Sequence, residues 1–223
     1  MAAPSDPATF PTPTIVPLGD SGVLVRFGTT LSDAANRAAI ALALTLDREP
    51  IAGVVEVVPN LVSVLLRYDP LASSAYAGIA GELRLRLFGA GEMAPATARW
   101  RIPVTFEGPD LDEVAGLVGM SAADFVHAHN ASSLRVLATG FAPGFVYCGL
   151  HAPELVLPRR TSVRPSVPAG SVLFAAGQTA IAATEMPTGW YVIGRTDFAN
   201  FDPGANPPTR LRAGDLVGFE VAP

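Results

Sequence analysis

Three arginines, Arg159, Arg160 and Arg164, stand among prolines in the segment PRRTSVRPSVPAGSV. Guanidinium forks on loops stiffened by proline suit recognition of a carboxylate or phosphate, and they equally suit ion pairs with an acidic segment. Such a segment exists: between Pro103 and Pro158 the acids Glu107, Asp110, Asp112, Glu113, Asp124 and Glu154 are accompanied by Arg135 alone. Further on, AAGQTAIAATEMPTGWYVIGRT sets Gln178, Glu185 and Arg195 beside apolar runs. An amide or a charge is costly there unless it is paired or functional, so these residues point to a pocket.

Two histidines, His127 and His129, sit near the end of a helical pattern. Two positions along a helix turn a side chain through ~200°, so the pair cannot grip one metal ion; His129 is left as a core or capping group, or as a single base. Cys148 is the only cysteine. That excludes an internal disulfide and a cysteine-based zinc cluster, and with no flanking charge the thiol reads as a small buried hydrophobe. Around it, TGFAPGFVYCGL crowds aromatics about three glycines and a proline. Pro143-Gly144 predicts a type II turn with glycine at the positive-φ position, and Phe145 and Tyr147 read as the wall of a bend or of a site.

All fifteen basic residues are arginine. The lack of lysine removes a P-loop lysine, a Schiff-base lysine and any attachment point for biotin. A net charge of −5 offers no basic face for nucleic acid. The sequence holds no run of ~18 to 20 apolar residues and its start lacks signal-peptide features, so neither a membrane nor export is expected and the protein is read as cytoplasmic.

These residues need a frame. The first eighteen residues, rich in proline, serine and threonine, read as a flexible tail, although TIVPL has strand character. GVLVRF predicts a strand, SDAANRAAIALALTL a helix capped by Ser32, and GVVEVVP with LVSVLLRYDP a hairpin. SAYAGIAGELRLRLF has helical spacing at Tyr76, Ile79, Leu83 and Leu87, and WRIPVTF closes a β-α-β-β-α-β order of ferredoxin-like type. Two short helices follow, with Asp110 and Ser121 at cap positions. After Ser133, LRVLATGF, SVLFAAG, TAIAAT, GWYVIGRT and DLVGFEV form the short apolar runs of a barrel or sandwich, and the proline-rich pieces after Leu157 read as loops.

Taken in order, GFAPGFVYCGL, PRRTSVRPSVPAGSV, AGQTAI, MPTGWYVIGRT and LRAGDLVGF resemble the KipI and allophanate hydrolase subunit 1 family, also described as carboxyltransferase subdomains C and D and as the B component of bacterial 5-oxoprolinase. With VVEVVPNLVSVLLRYDP and GDSGVLVRF the resemblance covers residues 19 to 221. It implies an α+β chain: a tail over 1–18, a ferredoxin-like domain over 19–99, and a cyclophilin-like β-barrel with two short helices over 100–223. It also implies a subunit 2 or KipA-like partner.

The activity implied is ATP-dependent hydrolysis of a cyclic amide, 5-oxoproline to glutamate, with ATP and Mg2+ acting at the level of the complex and no covalently attached biotin. Alternatives are a carboxyltransferase component of a urea-carboxylase-like or allophanate system and a KipI-like inhibitor of a histidine kinase. Carried over by motif, His129 and Gln178 fall on the catalytic positions. The bend falls on Gly140, Pro143 and Gly144 and the arginines on Arg160, Arg164 and Arg195; with Phe145, Tyr147 and Glu185 from the reading of the residues above, Gly144 and these arginines are expected to bind substrate or nucleotide. Cys148 stands where the family has leucine, Ala182 and Ala183 replace a Tyr-Pro pair, and MPTGW stands for SPGGW.

Overall fold

Short β-branched runs on either side of a serine-capped helix build the first sheet. Residues 12–71, 76–88 and 98–223 are described in this computed structural model, which divides into units of residues 1–95 and 96–223. In the first unit, β1 (Thr14–Leu18) and β2 (Gly22–Arg26) form a hairpin around Gly19, whose φ of 62° favours glycine. The Ser32 hydroxyl then accepts the Ala35 N–H at 3.2 Å and starts α1 (Asp33–Arg48). The expected hairpin forms from β3 (Val54–Pro59) and β4 (Ser63–Tyr68), and α2 (Tyr76–Phe88) follows.

The sheet order is β1-β2-β4-β3. Val23, Val25, Val64 and Leu66 face Ala39, Leu42 and Leu46 of α1 and Ile79 and Leu83 of α2. Two expectations are corrected here. Thr14–Leu18, read within the tail, is an edge strand, whereas residues 1–11 lie outside the described residues. The strand expected to close this sheet, β5 (Arg99–Val104), instead pairs in parallel with the last strand of the chain. A local hairpin closes its loop at lower entropic cost than a distant strand, and Ile102 and Val104 have a larger core to enter in the second unit.

That unit contains α3 (Leu111–Leu117), α4 (Ala122–Asn130), β6 (Leu134–Thr139), β7 (Val146–Gly149), β8 (Arg164–Val167), β9 (Ser171–Ala175), β10 (Gln178–Ile181), β11 (Met186–Thr188), β12 (Tyr191–Arg195) and β13 (Leu216–Val221). Seven strands run in the order β12-β9-β10-β7-β6-β13-β5, and β8 and β11 make a separate ribbon. The proline-rich segment read as loops therefore includes a strand; a two-stranded ribbon leaves one edge unpaired, where Pro165 meets no demand for a donor.

The large sheet curls until its outer strands meet: Thr105 and Arg195 exchange backbone bonds of 2.9 and 3.0 Å. Alternation sorts its side chains onto two faces. Val172 and Phe174 of β9 enter the core with Val114 of α3 and Phe125 of α4, whereas Leu173 and Ala175 face a second cluster with Phe145, Trp190 and Val192.

Candidate functional site

The bend between β6 and β7 shapes a largely aromatic hollow of the second unit. Gly140 has φ 126°, Phe141 φ 80° and Gly144 φ 69°, the last at the position the turn was expected to demand. Asn200 Nδ2 donates to the Gly144 carbonyl at 2.7 Å. A Cβ on Gly144 would stand 2.5 Å from Phe201 Cβ and 2.8 Å from Ala183 Cβ. Gly144→Ala is therefore expected to lower stability by about 2 kcal/mol or more, from backbone strain and overpacking together, as read from the denaturant midpoint. A loss under about 0.5 kcal/mol would show that the bend relaxes freely.

Beyond the bend lies a cup of about 270 Å³ lined in part by Phe141, Phe145, Tyr147, Arg159, Thr188 and Trp190. Its aromatics meet edge to face, Phe141 on Phe145 at 5.7 Å, Phe145 on Tyr147 at 4.9 Å and Tyr147 on Trp190 at 5.9 Å between centroids. The Arg159 guanidinium lies over the Trp190 ring at 5.7 Å. Burial pushes the Tyr147 phenol above its ordinary range while Arg159 opposes the shift, so near neutral pH the phenol is a protonated donor.

The sequence-predicted arginines separate. Arg160 Nη1 donates to Asp110 Oδ1 at 2.8 Å, and Arg164 Nη2 donates to both Asp110 oxygens at 2.7 and 2.9 Å. Asp110 is buried and also accepts the Val192 N–H at 2.8 Å. Of the two uses for an arginine cluster, ion pairing with the acidic segment is the one seen for this pair. Asp110 precedes α3 but makes no side-chain cap, because both its oxygens are taken. Ser121, in contrast, caps α4 by accepting the Asp124 N–H at 3.1 Å. Arg195 ends β12 at an exposed position beside a different hollow, of about 460 Å³, and exposed Glu185 accepts the Ser166 hydroxyl at 2.6 Å. Phe145 and Tyr147 thus line the cup, Gly144 sits in the bend that precedes them, and Arg160, Arg164, Arg195 and Glu185 do not line it.

His127 and His129 point to opposite sides of α4 as expected. His127 lines a hollow of about 880 Å³ beside the chain's last residues, whereas His129 is 1% exposed among Phe106, Phe125, Phe174 and Phe219. His129 Nδ1 lies 2.7 Å from Asn130 Oδ1, an acceptor, which assigns its proton to Nδ1. Burial lowers its pKa to about 4, so the ring is neutral and Nε2 accepts the Thr179 hydroxyl at 2.8 Å. The Thr179 oxygen in turn accepts from His151 Nε2 at 2.8 Å, and His151 is lowered to about 3 by burial and then by His129. His129, which the family resemblance places at a catalytic position, is buried in this fold: its ring is enclosed by four phenylalanines, lines none of these hollows and ties α4 to β10 through Thr179.

Gln178 sits on the cup's side of β10, one inward position before Ala180, which pairs with Tyr147. It is buried, and its Oε1 has no hydrogen-bond partner among the described residues. Gln178→Met removes an orphan carbonyl at similar volume, so stability is expected to hold or to rise by up to about 1 kcal/mol in urea titration; a clear loss would reveal a partner for that oxygen. Cys148 is fully buried and its thiol is pushed up to about 12, which fits a small hydrophobe.

Sequence reasoning passed over His151, Thr179 and the particular place of Arg159 and Trp190. Only the adjacency of Arg159 to Pro158 and of Trp190 to Gly189 marked the latter two. Among the described residues no group of three His, Cys, Asp or Glu side chains is disposed to hold a metal ion, and no helix is long and apolar enough to cross a membrane.

The family model of the carboxyltransferase domain, subdomain C and D, matches residues 13–211. The chain is 36% identical over 215 residues to the B component of the 5-oxoprolinase of Bacillus subtilis (strain 168), covering 91% of this chain and 90% of that protein. It is 34% identical over 209 residues to the corresponding 5-oxoprolinase component of Escherichia coli O157:H7, covering 91% and 93%. Among solved structures, TTHA0988 superposes with a TM-score of 0.79 at 38% identity over 91% of this chain, which corresponds to 40% of that longer one. The urea carboxylase of Kluyveromyces lactis shares the fold over 100% of this chain and 23% of that one, with a TM-score of 0.75 at 17% identity.

Proposed function

Because the chain belongs to the family of carboxyltransferase subdomains C and D, we propose that it is the B-type component of an ATP-dependent 5-oxoprolinase, opening the lactam of 5-oxoproline to glutamate together with a subunit 2 or KipA-like partner in the cytoplasm. One observation carries this reading: two proteins named as the B component of a 5-oxoprolinase match about nine-tenths of this chain and about nine-tenths of their own length. The chain's share in the reaction is binding and orientation. A rigid, doubly faced sheet holds aromatic walls on one side, and its polar groups there are few and directed.

ATP and Mg2+ are assigned to the complex. The described residues offer no cluster of metal ligands, and two of the motif arginines are engaged by Asp110. ATP bound in the assembled complex would donate a phosphoryl group to the amide oxygen, with ADP as the leaving group, and so make the carbonyl carbon susceptible to water.

The test is co-purification with the KipA-like partner and assay of ATP hydrolysis driven by 5-oxoproline. Turnover is expected from the complex and from neither chain alone. A stable complex that hydrolyses no ATP with 5-oxoproline present would remove this function. If the chain binds such a partner only weakly and instead suppresses autophosphorylation of a histidine kinase, the regulatory alternative takes its place.

A further inference from the structure

We infer that the cup closed by Arg159 is a binding site for a small ring-bearing monocarboxylate, with the guanidinium taking the carboxylate and Phe141, Phe145, Tyr147 and Trp190 enclosing the ring. The inference rests on the 5-oxoprolinase reading for the identity of the ring, since 5-oxoproline is a five-membered lactam bearing one carboxylate. The site itself rests on geometry.

Arg159 differs from Arg160 and Arg164 in having no carboxylate partner among the described residues. Arg160 and Arg164 are bound to Asp110, and among the described residues no acid pairs with Arg159. It is nevertheless held in place. The Arg160 N–H donates to the Gly189 carbonyl at 2.9 Å, which pins the backbone next to Arg159 against the residue that precedes Trp190. The Asp110 bonds to Arg160 and Arg164 fix the same segment from its other side. A cation stacked on an indole and anchored at its own backbone loses little freedom when it meets an anion, which favours binding.

The cup's size and polarity select the ligand. A volume of about 270 Å³ lies just below the ~300–1,000 Å³ usual for small-molecule sites, which suits a single ring. The protonated Tyr147 phenol and the Thr188 hydroxyl line the same space and can donate to a ring amide; the Thr188 oxygen already accepts the Trp190 N–H at 3.0 Å and keeps its own proton to donate.

Phe141 adds a second, independent observation. It is 75% exposed and its φ is 80°, a conformation rarely taken by residues with a side chain, yet its ring is set edge-on to Phe145 at the rim of the cup. Backbone strain and an exposed aromatic both work against stability, and their coincidence at a cavity mouth marks a wall kept for a ligand.

The experiment measures equilibrium binding to the full chain co-purified with its partner, by calorimetry and Trp fluorescence, alongside steady-state kinetics. The probes are 5-oxoproline, the neutral ring 2-pyrrolidinone, the open-chain butyrate and the aromatic carboxylate 2-furoate. 5-Oxoproline is expected to bind at least about tenfold tighter than 2-pyrrolidinone or butyrate. Arg159→Gln is expected to weaken 5-oxoproline by roughly tenfold to hundredfold and to leave 2-pyrrolidinone unchanged, with Arg159→Lys between the two. Phe141→Gly suits the local φ, so it is expected to fold at least as stably while binding both ring compounds more weakly.

An Arg159→Gln complex that binds and turns over 5-oxoproline like the parent overturns the cup and leaves the 5-oxoprolinase reading standing. A parent complex inert toward 5-oxoproline that binds 2-furoate through Arg159 keeps the cup and removes that reading. Failure of every cyclic carboxylate to bind removes the cup.

Discussion

Asp110→Ala is expected to lower the stability of the protein by about 2 to 3 kcal/mol, below the ~3 to 5 kcal/mol for a fully buried pair because the two guanidinium groups are 22% and 32% exposed. The carboxylate is 4% exposed and receives Arg160, Arg164 and the Val192 N–H. Its removal leaves two guanidinium groups without their shared anion, and a strand donor without an acceptor. Glu113, 3.6 Å from Arg160 and itself half exposed, offers a weak substitute for one of them.

Urea titration of Asp110→Ala, of Arg160→Leu with Arg164→Met, and of the triple variant would separate the terms. The triple variant is expected to recover much of the loss, because an apolar replacement of similar volume leaves no charge behind. A single-variant loss below about 1 kcal/mol would mean that the cluster is solvated in solution. Since the same cluster anchors the segment that carries Arg159, Asp110→Ala should also weaken 5-oxoproline binding, whereas the triple variant should restore stability more fully than affinity.

Acid is expected to destabilise the protein through His129 and His151 well above the pH at which either titrates in the folded chain. Both have folded pKa values far below the ordinary 6.5, about 4 and about 3, because burial disfavours the imidazolium. The unfolded chain therefore binds protons first. The stability these rings contribute is complete above about pH 6.5, falls as pH drops below that value, and stops falling only near the folded values. Each ring accounts for on the order of 3 kcal/mol over the whole window.

The 4.7 Å separation of the two rings makes protonation of one oppose protonation of the other. Denaturant midpoints at pH 7.5, 6, 5 and 4.5 should show a slope that His151→Leu reduces, with its own stability at pH 7.5 lowered by the loss of the bond to Thr179. Carboxylates titrate in the lower part of this range in both proteins, so the difference in slope is the measure. Equal slopes in parent and variant would show that His151 is solvated.

Much of the fold is readable along the chain because burial on a strand or helix has a short period. The alternation in SVLFA separates Val172 and Phe174 from Leu173 and Ala175, and Ser32 and Ser121 mark helix starts within three residues of the N–H groups they accept. The positive φ of Gly144 and the aromatic wall behind it follow from Pro143-Gly144 and from Phe145 and Tyr147 as written. The chemistry excluded by the lack of lysine is likewise a property of composition.

What the tertiary structure alone decided is pairing over long separations. Three arginines of similar local setting part company because Asp110, 50 residues before Arg160 and 54 before Arg164, takes those two and leaves Arg159 over Trp190. His129 becomes a core group only through Thr179, 50 residues on, and His151 joins it from 28 residues before that threonine. Strand β5 leaves the first sheet because its partner is the last strand of the chain. Local patterns set which face a side chain presents, but the partner of a charge or an unpaired strand depends on which distant segment the packed core brings within a few ångströms.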